Sequence, residues 1–170
     1  MKNILYAPWR DEYVTNKKIE GCVFCHISKS LETQKEELGL LYKDEYCFIV
    51  MNKYPYTPGH FMIIPHTHTQ ALEDLDADVW LHMSSLAQKC VRLLKDGFNA
   101  QGVNIGMNLG EAAGAGIAEH IHMHLVPRWK RDTNFITSIA DTRVYSTDFE
   151  KIYKKIQELI PLYINDAKKS

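Results

Sequence analysis

Glu119-His120-Ile121-His122-Met123-His124-Leu125-Val126-Pro127 alternates imidazoles with apolar side chains. Successive side chains of an extended strand point to opposite faces. Period two therefore puts His120, His122 and His124 on one side and Ile121, Met123 and Leu125 on the other. A helix would scatter the three imidazoles around its circumference. The stretch reads as a strand, His120–Val126, with an apolar face for the core and a histidine face for chemistry. Imidazole changes charge near neutrality and is a common metal ligand. Three side by side can supply a metal ligand, a nucleophile or base, and partners that fix a tautomer. A solvent-facing strand surface would instead mix Lys, Glu and Thr.

Working outward, four more segments carry strand composition: Leu40–Lys43, Tyr46–Asn52, His60–Pro65 and Val103–Asn108. Lys53–Gly59, KYPYTPG, holds two prolines and a glycine and reads as a hairpin-like loop. Residues 71–96 read as one long helix, with apolar residues near a 3.6 period from Leu72 to Leu94 and Gly97 as its stop. Residues 148–164 read as a final helix whose start, Thr147 with Glu150, resembles a capping box. Short links between neighbouring strands favour antiparallel pairing. The fold class is α+β: a mainly antiparallel sheet of about five strands, a long central helix and a C-terminal helix. The chain reads as a single domain over 1–170. An irregular N-terminal arm covers about 1–20, where Tyr6 and Trp9 pack on something, and a helical extension covers about 146–170.

Apolar residues at 45% and charged residues at 24% are globular proportions, enough for a core at this length. The net charge of −1 offers no basic stripe for a nucleic-acid duplex, so no nucleic-acid partner is expected. Phosphate can still be held locally by backbone N–H groups. No segment has signal-peptide or membrane-spanning character, which predicts a cytoplasmic protein without a membrane partner.

Two further features attach to the histidine strand. A glycine-rich loop, GEAAGAG (110–116), lies just before it, and Gly114 and Gly116 let backbone N–H groups approach a ligand closely. Of the four cysteines, Cys47 and Cys90 stand in apolar settings and read as small buried hydrophobes. Cys22 and Cys25 form a CxxC, which in a cytosolic chain points to metal or redox chemistry. A short helix follows within CVFCHISKSL (22–31).

The row His120-x-His122-x-His124 resembles the signature of the histidine triad (HIT) superfamily of nucleotidyl hydrolases and transferases. APWR (7–10), GCVFC (21–25), PYTPGHFMIIPHTH (55–68) and NLGEAAGAGIAEHIHMHLVPRW (108–129) are similar to its bacterial diadenosine-polyphosphate phosphorylases and hydrolases. The resemblance implies a HIT-like fold and assigns roles by position. His122 would be the nucleophile forming a nucleotidyl-histidine intermediate, and His124 would contact phosphate or bridging oxygens. His120 would orient the site or ligate metal. Asn52 would hydrogen-bond the ribose, Asn108 would lie near the phosphates, and His60 would buttress the catalytic strand. Ile4–Trp9 and Tyr54 would help enclose the base. The resemblance also implies a structural zinc on Cys22, Cys25, His68 and His120, with His66 a neighbouring rival to His68. Magnesium can accompany the substrate. A homodimer follows from the resemblance alone.

The expected activity is cleavage of a diadenosine polyphosphate such as diadenosine tetraphosphate, by phosphorolysis or hydrolysis, through an AMP-histidine intermediate. One displacement at phosphorus becomes two easier ones. The same site supports either acceptor, so residue types do not choose between them. Two other readings stand beside it: an adenosine phosphoramidase of the smaller HIT type, and a non-catalytic nucleotide sensor. The N-terminal and C-terminal extensions argue against the first, and the intact triad argues against the second.

Overall fold

The computed structural model describes residues 21–130, 132 and 147–164. The expected N-terminal arm, with Ile4–Trp9, lies outside the described residues, as do 165–170. The elements in chain order are α1 (Val23–Ser28), α2 (Lys35–Leu38), β1 (Leu40–Lys43), β2 (Cys47–Met51), β3 (Phe61–Pro65), α3 (Ala77–Phe98), β4 (Gly102–Gly106), β5 (Met123–Arg128) and α4 (Phe149–Tyr163). Short 3-10 turns cover Glu32–Gln34, Leu72–Asp74 and Glu111–Ala113. All five strands pair antiparallel in one sheet, in the order β1-β2-β3-β5-β4. This is the expected α+β class.

Alternation along the strands divides the interior into two layers. Cys47, Ile49 and Met51 of β2, Phe61 and Ile63 of β3, and Met123 and Leu125 of β5 join α3 and α4 in the larger cluster. Phe48, Val50, Met62 and Ile64 face the other way, against Phe24 and Ile27 of α1. Because β2 and β3 are covered on both sides, they are apolar at every position rather than at every second one. The C-terminal helix belongs to the main body. Its Ile152, Tyr153, Ile156 and Ile160 are buried, and Tyr153 Oη donates to the Leu40 carbonyl at 3.0 Å.

Several expected boundaries move. The segment 71–96 is not one helix. Asp76 caps a new start by accepting from the Asp78 N–H at 2.8 Å, so α3 begins at Ala77. Gly97 does not stop α3. The helix passes through it, and Asn99, left-handed at φ 52, ends it instead. Gly97 is a packing position: a Cβ there would lie 2.3 Å from Leu159 Cδ1 on α4. The cap of α4 is Asp148, whose side chain accepts from the Glu150 N–H, in place of the expected Thr147–Glu150 pair. Finally, β5 starts at Met123, three residues later than expected, and runs on to Arg128. Upstream of Met123 the ladder gives way to other bonds: Ile121 N–H donates to the Thr69 carbonyl at 2.8 Å, and the His120 ring takes the Pro65 carbonyl. The chain still alternates there, with Ile121 in the helix-side core. At the other end of the site, β4 stops at Gly106, short of the expected Asn108.

Candidate active site

The sheet face opposite α3 carries the histidine row, and α1 packs against it through Phe24. The Phe24 ring centroid lies 5.6 Å from that of His120 and 5.1 Å from that of His122. His120 and His122 are buried, and the rings of His122 and His124 stand 4.8 Å apart, edge to face. Burial makes the charged form costly, so all three imidazoles have their pKa pushed down and are neutral near pH 7. For His124 the value falls to about 4.

A neutral imidazole has one donor and one acceptor nitrogen, and the surrounding hydrogen bonds decide which is which. His122 Nδ1 lies 2.9 Å from the His120 carbonyl, which can only accept. Nδ1 therefore carries the proton, and Nε2 keeps its lone pair. His120 Nε2 lies 3.0 Å from the Pro65 carbonyl, so its lone pair is on Nδ1. That nitrogen faces Cys22 Sγ at 3.4 Å and Cys25 Sγ at 3.7 Å. His60, fully buried, accepts the Tyr56 N–H on Nδ1 at 3.1 Å, so its Nε2 is the donor. It donates to His124 Nδ1 at 3.0 Å. The chain of constraints leaves the last proton on His124 Nε2. Adjacent imidazoles thus present one lone pair, on His122, and one N–H, on His124.

His124 opens into a cleft of about 300 Å³ lined also by Tyr56, Asn104, Gly106, Asn108 and Arg128. Asn108 lines the same cleft as His124. Asn52 follows β2; its Oδ1 accepts the Tyr54 N–H at 2.9 Å in a local turn, and its amide nitrogen lies 3.3 Å from His60 Nε2. Gly114 and Gly116 are exposed with open space around them. Within their loop, the Gly114 and Ala115 N–H groups donate back to Glu111 and Gly110. The N–H groups of Gly116 and Ile117 make no hydrogen bond among the described residues. Tyr54 is on the surface at 40% exposure. Phe24 and Tyr56 carry no signal of their site positions in the sequence, because those positions depend on packing across the sheet. Arg128 was also missed, although strand alternation from His124 through Val126 would have placed it on the same face.

Cys22, Cys25, His68 and His120 bring one ligand atom each to within 4.8 Å of one another. His68 Nδ1 is 3.2 Å from Cys25 Sγ. Two thiols and two imidazoles form a donor set suited to tetrahedral zinc, and His120 offers the correct nitrogen. His66 is not a competitor: its Nδ1 pairs with Ser28 Oγ at 2.7 Å and its Nε2 donates to the Asp44 carbonyl at 2.9 Å. The other candidate cluster among the described residues is Asp44, Cys47 and His82. There the Asp44 carboxylate already accepts from the Tyr46 and Cys47 N–H groups and from His82, and Cys47 is wholly buried.

The chain also has relatives among known proteins. The chain is 41% identical over 146 residues to AP-4-A phosphorylase of Mycobacterium tuberculosis (strain ATCC 25618 / H37Rv), covering 82% of this chain and 75% of that protein. It is 25% identical over 134 residues to bis(5'-adenosyl)-triphosphatase of Dictyostelium discoideum, covering 77% and 89%. Among solved structures, it is similar to a Zn-bound histidine triad family protein from Mycobacterium smegmatis, with a TM-score of 0.69 at 29% identity, covering 87% of this chain and 98% of that one. The HIT domain matches residues 33–131, more than half of the sequence, and the chain belongs to that family.

Proposed function

We propose that the protein cleaves diadenosine polyphosphates by nucleotidyl transfer through His122. The observation that carries this reading is the tautomer arrangement: His122 Nδ1–H is held by the His120 carbonyl, so the Nε2 lone pair is available beside the His124 N–H. In the first step His122 Nε2 attacks the α-phosphorus. An N–P bond forms, the bond to the bridging oxygen breaks, and the distal nucleotide departs with that electron pair. The imidazole becomes cationic, and the His120 carbonyl accepting from Nδ1–H stabilises it. His124 Nε2–H donates to oxygen atoms on which charge accumulates. In the second step water or inorganic phosphate attacks the same phosphorus and returns the lone pair to His122. Asn108 lies beside the phosphate path, the loop N–H groups of Gly116 and Ile117 can close over it, and Asn52 holds the ribose.

Support for the substrate class comes from the relatives, whose names specify AP-4-A phosphorylase and bis(5'-adenosyl)-triphosphatase. Cys22, Cys25, His68 and His120 would hold a structural zinc ion, which would tie α1 to the catalytic row and fix the His120 ring. Magnesium would accompany the polyphosphate substrate. Among the described residues, no helix is long and apolar enough to cross a membrane. A homodimer is part of the same reading: β4 is a sheet edge, and beside it Trp80, Ser84, Val91 and half-exposed Ile105 line a groove of about 440 Å³. A solution mass of one chain would remove the dimer from it.

Incubation with diadenosine tetraphosphate, with and without inorganic phosphate, tests the activity. Phosphorolysis gives ADP and ATP, whereas attack by water at the α-phosphorus gives AMP and ATP. His122→Asn is expected to lower turnover roughly 10⁴-fold or more and to abolish trapping of labelled AMP on the protein. Labelling that survives in His122→Asn would place the nucleophile elsewhere.

A further inference from the structure

The chemistry proposed at His122 stands next to the cleft that His124 lines, and that cleft continues along β5 and β4. Cross-strand partners share a face, and Asn104 pairs with Val126 while Gly106 pairs with His124. The face therefore runs His122, His124, Val126, Arg128 on one strand and Gly106, Asn104, Gly102 on the other. On the β4 side no side chain stands opposite His124, because its partner there is Gly106, where an added Cβ would meet nothing within 4 Å. The result is a channel leading away from His122 towards Asn104 and Arg128. Four residues of extended chain, from His122 into β5 at Val126, span about 13 Å.

The far end of this channel is a set of oriented donors. Arg128 donates to Asp132 through Nε and Nη2 and to Asn104 Oδ1 through Nη1 at 3.0 Å. A guanidinium has five N–H bonds, so one on each terminal nitrogen remains beyond these three. Because Asn104 Oδ1 accepts from Arg128, the Asn104 amide turns its NH2 group outward. Together with His124 Nε2–H, the channel offers N–H groups, while the Asp132 carboxylate accepts from Arg128 and from the Trp129 N–H. Such a donor array fits phosphate oxygens. The cation is held by a planar two-point pair rather than left to sweep solvent, which gives it a defined direction.

We propose that Asn104 and Arg128 form a subsite for the phosphates beyond the α-phosphate, so that the protein selects nucleotides by the length of their phosphate tail. The proposal rests on the reading above for the position of the α-phosphate at His122. It assigns Arg128 a binding role and Asp132 a positioning role.

Titration calorimetry in magnesium-free buffer with AMP, ADP, ATP and adenosine 5′-tetraphosphate tests it. Affinity is expected to rise with tail length in the unaltered protein. In Asn104→Ala and Arg128→Gln the ratio of tetraphosphate to AMP affinity falls about tenfold, while AMP affinity stays within about twofold. Arg128→Lys, which keeps the charge and loses the fork, gives an intermediate ratio. An unchanged ratio, or equal weakening of AMP and tetraphosphate, overturns the subsite. Asn104 is exposed on an edge strand, so its variant carries the test if Arg128→Gln fails to fold. The two readings fail separately. Graded binding without turnover of diadenosine tetraphosphate keeps the subsite and removes the enzymatic reading; turnover with no grading does the reverse.

Discussion

At the scale of single residues, the site is a problem of proton placement. Backbone groups with fixed roles set each tautomer: the Tyr56 N–H for His60, and the carbonyls of His120 and Pro65 for His122 and His120. His60 therefore acts on the chemistry through His124 without touching substrate. His60→Phe fills similar space but cannot donate, so His124 is free to put its proton on Nδ1. The expected result is a fall in kcat of about 10²-fold with KM changed little, since an electrostatic donor aimed at the transition state is lost. His60→Gln, whose amide can both accept and donate, should recover much of it. Steady-state kinetics on both variants decides; equal losses would reduce His60 to packing. The alternation of residues 119–127 was enough to read a shared histidine face. It could not reveal the tautomers, because they depend on carbonyls and N–H groups brought in by the loop at Tyr56 and the end of β3.

At the scale of elements, α1 is a six-residue helix with two buried side chains, Phe24 and Ile27, too short to hold its place by propensity. A metal on Cys22, Cys25, His68 and His120 would anchor it. One zinc per chain is expected by elemental analysis. Cys25→Ser or a strong chelator should lower the thermal midpoint by roughly 4–8 °C, the equivalent of about 2 kcal/mol for a chain of this size. Full metal loss with an unshifted midpoint would leave α1 held by packing alone. The contact of α3 with α4 makes a second test. Gly97→Val drives a side chain into Leu159, and overpacking of this kind costs about 1–3 kcal/mol, measurable by chemical denaturation. The sequence showed Gly97 as a stop because glycine ends helices often. That it serves close approach instead depends on Leu159, more than sixty residues away, which no local pattern carries. The strands were legible since β-rich composition and turn residues are local; the late start of β5 was not, because Thr69 and Pro65 divert its first hydrogen bonds.

At the scale of the whole molecule, the sheet buries apolar layers on both sides and places several imidazoles within one of them, which gives folding a sensitivity to acid. Period-two alternation let the sequence assign the two faces of β5, but not the degree of burial, since that depends on α1 closing the second face. Burial pushes His60 down to about 3 and His124 to about 4 from an ordinary value of 6.5, with the neighbouring imidazoles adding to the effect. The unfolded chain therefore binds more protons than the folded one between those values, and stability must rise with pH across that window. It is fully present above about pH 6.5 and is lost progressively as pH falls towards about 3. For His60 alone the loss at pH 5 is on the order of 2 kcal/mol. Thermal melts from about pH 8 to 4 should show the midpoint flat down to about pH 7 and falling below it, at a pH where ordinary carboxylates have barely begun to titrate. Replacing His60 by Gln removes one of the two deepest protonation sites and should flatten the upper part of that decline, separating it from acid release of a metal at His120. A midpoint that holds constant from pH 7 to about 5 would mean that the imidazoles are not kept neutral by burial, and the lone pair assigned to His122 would lose its physical basis.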